Sequence, residues 1–249
     1  MRKWHSLIAA AAAAVLALGA EADNPTADDL VKKNIEARGG LEKLHAVKSL
    51  RMTGTMSLGN EASAPTVLEF QRPSKVRWEF TVDGQTAIQA YDGKTGWVIL
   101  PFSGDTQPHE MSAEDRKGIA LQADIDGPLV DAEKKGNKIT LVGRQKPDGR
   151  DSWKLKVATS EGEERFVFLD AKTYLQFMTV TERSVDGRKV EIVNRIGDYR
   201  DVDGVKLPHS FEAGAEGVPE SQVLHFDKIE VNVPIDDARF AMPANKGAK

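Results

Sequence analysis

From Ser49 onward the chain repeats one pattern that few folds accept: short runs in which apolar and polar residues alternate, separated by turn dipeptides. Leu50, Met52, Gly54, Met56 and Leu58 alternate with Arg51, Thr53, Thr55 and Ser57, and Val76, Trp78, Phe80 and Val82 alternate with Arg77, Glu79 and Thr81. A period of two puts every second side chain on one face, so these runs read as half-buried β-strands. Asp83-Gly84, Asp92-Gly93, Asp148-Gly149, Asp186-Gly187 and Asp203-Gly204 fall between runs. Asp-Gly supplies the positive φ that tight hairpin turns need, so successive runs are expected to pair antiparallel in a meander.

Twelve candidate strands result, over 48–58, 66–72, 75–82, 85–91, 96–102, 138–144, 152–158, 165–170, 174–183, 188–202, 205–212 and 221–233. So long an antiparallel sheet must curl, because its twist accumulates and its apolar face needs cover. A barrel of about eight strands is filled by its own side chains, so one of about eleven to twelve leaves a space for something else. Two helical segments can fill it. The first starts at Thr26, an N-cap followed by Asp28 and Asp29, and stops at Gly39-Gly40. The second, over 112–132, opens on the capping box Ser112-Ala113-Glu114-Asp115 and is interrupted by Gly118 and by Asp126-Gly127-Pro128. Such a weak helix either plugs the barrel or covers a cavity that takes an apolar ligand.

The chain opens on Arg2 and Lys3, an apolar run from Leu7 to Leu18, and Ala20-Glu21-Ala22, the form of an export signal cleaved before Asp23. The run is shorter than the roughly 20 residues of a membrane span. The net charge is −4, with no long Lys/Arg block, which argues against nucleic acid as a partner. With no cysteine in the chain, disulfides, thiolate metal sites and a Cys nucleophile are excluded.

Nothing in the sequence has the form of a hydrolase elbow, a zinc-protease helix or a phosphate-binding glycine loop. His225 and Asp227 share a strand face and could hold a metal or form a surface hydrogen bond; the reading adopted has no metal, no cofactor and no catalytic residue. Asp124 and Asp126 read as helix-end caps, Asp201 and Asp203 as turn residues. Trp78, Phe80, Trp97, Leu100 and Phe102 read either as core or as a cavity lining, although Trp97 and Leu100 point to opposite faces.

The helix end Ala37-Arg38-Gly39-Gly40-Leu41, the turn Tyr91-Asp92-Gly93-Lys94-Thr95-Gly96-Trp97, and above all Asp198-Tyr199-Arg200-Asp201-Val202-Asp203-Gly204-Val205-Lys206-Leu207-Pro208-His209 resemble the outer-membrane lipoprotein-sorting protein family. The resemblance covers most of the chain after the leader, and its sharpest motif is one hairpin. It implies a mainly β fold: an incomplete, unclosed antiparallel barrel with an N-terminal helix and a helical lid, formed by residues 23–249 as a single domain. It implies a periplasmic carrier whose apolar cavity takes acyl chains of lipoproteins or related lipids for transfer to the outer membrane, between inner-membrane donor and outer-membrane acceptor proteins. The ligand-binding candidates are then Trp78, Phe80 and Trp97 on the sheet and Ile119, Leu121, Ile125 and Leu129 on the lid. The family's carriers control release through an arginine near the lid, for which Arg51, Arg72 and Arg77 are candidates that the resemblance does not separate. The family's anchored acceptors carry a lipidated cysteine, which this chain lacks, so a soluble carrier is the expectation. The alternative is a periplasmic sensor or regulatory binding module on the same fold, distinguished by capture of a partner protein.

Overall fold

The structure, a computed structural model, describes residues 25–58, 62–160, 162–185, 188–215 and 222–244. The expected leader and the Asp186-Gly187 turn lie outside the described residues. Two helices, α1 (Ala27–Ala37) and α2 (Leu41–Ala46), precede six strands: β1 (Ser49–Leu58), β2 (Ala62–Gln71), β3 (Lys75–Val82), β4 (Gln85–Tyr91), β5 (Gly96–Ile99) and β6 (His109–Glu110). After α3 (Ala113–Gln122) come β7 (Lys138–Gln145), β8 (Ser152–Ala158), β9 (Glu164–Asp170), β10 (Gln176–Val185), β11 (Arg188–Val202), β12 (Val205–Ala215) and β13 (Gln222–Val231).

All thirteen strands form one antiparallel sheet in the order β6-β5-β4-β3-β2-β1-β13-β12-β11-β10-β9-β8-β7. Two meanders are thus stitched together where β1 meets β13, Leu50 opposite Val231 and Met56 opposite Leu224. The free edges, β6 and β7, are neighbours in sequence, and the only chain between them is α3 and the turns that follow. The helical interruption seen in the sequence therefore connects the two edges that do not pair, and α3 packs on β3–β5.

The alternation pattern underestimates the sheet in two places. β2 begins at Ala62, before Pro65, because pairing to β3 starts only at Thr66, so the missing proline N–H faces no partner there. The short β6 pairs Trp97 with Glu110 and Val98 with His109, too few residues for a period to show. In the other direction, the expected strand 96–102 ends at Ile99 and gives way to a 3-10 turn at Pro101–Ser103. Likewise 112–132 is helical only to Gln122 and continues as turns.

α1 is capped as its sequence requires: Asp29 N–H donates to Thr26 Oγ1 and Thr26 N–H to the Asp29 carboxylate. It buries Leu30 against Leu155, Val157, Val167 and Leu169, with Leu129 in the same cluster. A second cluster joins Leu44 and Val47 to Leu50, Met52, Val130, Leu207, Phe226 and Ile229. α3 and its C-cap contribute Ile119 and Ala123 to a third, against Val76. At about 25 cal/mol per Å² of apolar surface, this burial on one sheet face is what fastens the helices.

The opposite face near β1–β5 is polar and equally fixed. Glu69, only 1 % exposed, accepts from Arg51 Nε at 2.8 Å and from Arg239 Nε at 2.7 Å. Arg239 also donates to Glu79 at 2.9 Å, and Arg77 donates to Glu79 and to the Arg239 carbonyl. These bonds lash the C-terminal segment across the sheet, with Phe240 buried beside Trp97.

Candidate functional site

A cavity of about 240 Å³ lies between α1, the segment 122–128 and the sheet. Its floor is apolar, built from Leu50, Met52 and Phe70 of the first meander and Ile196, Leu207 and Phe211 of the second. Residues directly opposite across paired strands share a face, and Leu50 faces Phe70 while Ile196 faces Phe211, so the floor follows from the register.

The roof is the turn segment Asp124–Pro128. It is anchored at both ends by burial, Ile119 and Ala123 on one side and Leu129 and Val130 on the other. Between these anchors polar bonds hold it. Arg72 grips the Asp126 carboxylate with both ends of its guanidinium, Nη1 to Oδ2 and Nη2 to Oδ1, each at 2.7 Å. The same guanidinium donates to the Val47 carbonyl at 2.6 Å and the Leu44 carbonyl at 3.0 Å, joining roof, α2 and β2. The Asp126 hydrogen bonds, opposing burial, hold the Arg72 guanidinium above its ordinary range. Lys135 Nζ donates to Asp124 Oδ2 at 2.6 Å and to the Gly127 carbonyl at 2.9 Å, and Asn137 to the Pro128 carbonyl at 3.0 Å.

The wall is polar. Asn34, 1 % exposed, donates to the Tyr174 carbonyl at 2.8 Å, and Tyr199 donates its hydroxyl to the Gln176 carbonyl at 2.8 Å. Burial pushes the Tyr199 phenol up to about 12, against the pull of Arg38 and Arg150, so it is neutral at pH 7. Arg38, the C-cap of α1, donates Nη1 to the Asp126 carbonyl at 2.8 Å.

The sequence-derived candidates scatter around this cavity. Ile125 lines it. Leu129 packs in the α1 cluster and Ile119 on Val76, while Leu121 is half-buried on α3. Trp78 and Phe80 lie on the same sheet face as the floor, since Trp78 is opposite Leu68 and Val76 opposite Phe70, but farther along it. There Trp78 and Phe80 rings meet at 5.4 Å, and Phe80 stacks on the exposed Phe102 at 5.9 Å. Trp97 is opposite Ala90, which is opposite Arg77, so it lies on the other face, under the Arg77 guanidinium and donating Nε1–H to the Phe240 carbonyl at 2.7 Å. Of the candidate arginines, Arg51 and Arg77 belong to the Glu69–Glu79 network and Arg72 alone reaches the roof.

Sequence reasoning passed over Arg38, Asn34, Tyr199 and Asp126 as site residues. Two of them lay within the recognised motifs: Arg38 sits inside Ala37-Arg38-Gly39-Gly40-Leu41 and Tyr199 is the second residue of the Asp198–His209 motif. Asp124 and Asp126 are held by Lys135 and Arg72 rather than acting only as helix-end caps. Among the described residues no group of three or more His, Asp or Glu gathers to hold a metal; His225 and Asp227 form an exposed pair at 3.7 Å.

No family model matches the chain, and no curated protein matches its sequence. Solved structures match its fold. A LolA superfamily protein from Nitrosomonas europaea aligns at a TM-score of 0.58 with 14% identity, covering 88% of this chain and 98% of that one. A DUF1329 family protein from Desulfovibrio piger aligns at 0.61 with 11% identity, covering 86% and 97%. A putative outer membrane lipoprotein-sorting protein domain from Vibrio parahaemolyticus aligns at 0.55 with 13% identity, covering 84% and 97%. At these identities the likeness is one of fold: an open antiparallel barrel, matched over nearly the whole length of each structure.

Proposed function

We propose that this chain is a periplasmic carrier that takes an acyl chain of a lipoprotein or related lipid into the cavity beneath 122–128 and releases it toward the outer membrane. Residues 23–249 act as one unit in this reading, and no chemistry is done on the ligand. One observation carries it: the sheet leaves an apolar-floored cavity over the strands around the β1–β13 junction, under a roof held between its anchors by polar bonds. No helix of the described residues is long and apolar enough to cross a membrane. The fold neighbours include proteins named for lipoprotein sorting, which supports the reading.

Size decides how the cavity is used. An engineered cavity of roughly 150 Å³ holds benzene, so 240 Å³ accommodates a short length of chain with the roof in place. A full acyl chain requires the roof to lift, at the expense of its polar bonds while Leu129 and Val130 keep their apolar anchorage. Lifting then exposes the Leu50–Phe70 floor, and burying an apolar chain there returns roughly 25 cal/mol per Å². The test is saturable binding of a fluorescent fatty-acyl probe to the exported protein. Micromolar, one-to-one binding supports the carrier; failure to bind, together with specific capture of a partner protein, turns the reading to a sensor.

A further inference from the structure

Among the described residues, the Arg38 guanidinium is the one cation at this cavity with no carboxylate within ion-pair distance. Arg72 is satisfied by the Asp126 carboxylate and Lys135 by the Asp124 carboxylate. Arg38 has only the neutral Asp126 carbonyl, through Nη1. Among the described residues no carboxylate lies within ion-pair distance of it. Tyr199, which would act on it if ionised, is neutral.

Burial works to lower the Arg38 pKa, and Asp126 and Asp124 work against it, yet guanidinium keeps its proton at any physiological pH. Arg38 is half-buried, so leaving its charge uncompensated costs a part of the several kcal/mol that full burial would. A helix C-terminus favours a cation, but that benefit is available to a side chain lying in water. Here the side chain turns inward instead and borders the cavity, with Ile196, Leu207 and Phe211 on the floor beside it. Guanidinium carries five donors in a planar fork suited to a two-oxygen acceptor, and one is used.

We propose that Arg38 is the head-group anchor of the site, and that the preferred ligand is an amphiphile whose single apolar chain lies on the floor and whose anionic head, a carboxylate or a phosphate, binds the open donors of Arg38. This deepens the acyl-carrier reading and rests on it. A free inorganic anion would leave the apolar floor unused, and a neutral lipid would leave the guanidinium uncompensated. Asp124 and Asp126, which also border the cavity, do not repel the head because each already carries its own cation.

The test is calorimetric titration of the exported chain, below micellar concentrations, with dodecanoate, dodecyl phosphate, methyl dodecanoate and dodecyltrimethylammonium. One of the two anions is expected to bind about tenfold or more tightly than the ester, the range of a charge-assisted hydrogen-bonded pair. The trimethylammonium compound should bind most weakly. Arg38→Gln should bring anion and ester to equal affinity, and Arg38→Lys should keep part of the preference. The comparison in the unmodified chain decides the matter even if Arg38→Gln fails to fold. Equal binding of dodecanoate, dodecyl phosphate and ester overturns the anchor and leaves the acyl carrier standing. Absence of binding by all four overturns both. Carboxylate ahead of phosphate, or the reverse, identifies the head.

Discussion

Gly39 and Gly204 meet backbone to backbone: a methyl group on Gly39 would lie well inside van der Waals contact distance of the Gly204 carbonyl oxygen. Beside them Lys206 N–H donates to the Arg38 carbonyl at 2.9 Å. The helix-end motif and the Asp-Gly hairpin are therefore two halves of one joint. Asp203 at φ 53° and Gly204 at φ 79° make the tight turn that Asp-Gly requires, and Asp201 accepts from Gly204 N–H at 2.9 Å. The joint fixes the end of α1, and with it the residue whose side chain borders the cavity.

Gly39→Ala should destabilise the fold by about 2 kcal/mol or more, because it adds a backbone clash to the cost of a left-handed φ of 119°. Gly40→Ala is the control. Its φ of 92° carries the conformational cost, but a methyl group there meets nothing within 4 Å, so about 1 kcal/mol is expected. Denaturant unfolding of the two variants checks the difference, and equal midpoints would refute the joint.

Arg72→Met should free the roof. It removes both bonds to Asp126 and leaves a carboxylate that is 5 % exposed without its partner, a change that costs about 3–5 kcal/mol when fully buried and less here, since Arg72 is 24 % exposed. Amide hydrogen exchange should accelerate over 122–128 before it accelerates in β8 and β9. Uniform acceleration across the chain would show that Arg72 holds the whole fold rather than the roof.

The sheet was legible because alternation is a local signal: the runs at 75–82 and 85–91 coincide with β3 and β4 residue for residue. The helix caps at Thr26 and Ser112 were legible for the same reason, each being satisfied within four residues. The site was not. Arg72 and Asp126 are 54 residues apart and Asn34 and Tyr174 are 140 apart, so their pairing depends on the β1–β13 closure, which no local pattern encodes. Large side chains were also a poor guide to the cavity, since Trp97 proved to serve the opposite face through Phe240. The glycines of 39–40 and 204 stood in the recognised motifs, but that they touch each other was visible only in three dimensions.

Acid should weaken the turn that docks on α1. Burial opposes ionisation of Asp170, but hydrogen bonds from Thr173 N–H, Arg150 and Lys172 N–H outweigh it and hold the carboxyl down to about 2. A depressed folded-state pKa contributes stability above the unfolded value of about 3.9 and loses it as pH falls toward 2. With Arg150 half in solvent, the contribution is discounted to roughly 1 kcal/mol. Asp170→Asn should lower stability at pH 7 and flatten its fall between about pH 5 and 2. An unchanged acid limb would show that other carboxylates control it.

Ile196→Trp should fill the cavity from its floor. Because the space is already there, the overpacking cost of about 1–3 kcal/mol seen in tight cores should fall below about 1 kcal/mol. Binding of the acyl probe should be lost while the melting temperature stays within a few degrees. Unchanged probe affinity would place the ligand elsewhere.

Native mass spectrometry of the protein, purified from its own cells beside Ile196→Trp, tests the central claim most directly. The carrier account expects a one-to-one adduct with the mass of an acylated amphiphile on the unmodified chain, and bare polypeptide for the variant. Bare polypeptide in both, with no uptake when acyl lipid is supplied, would contradict it.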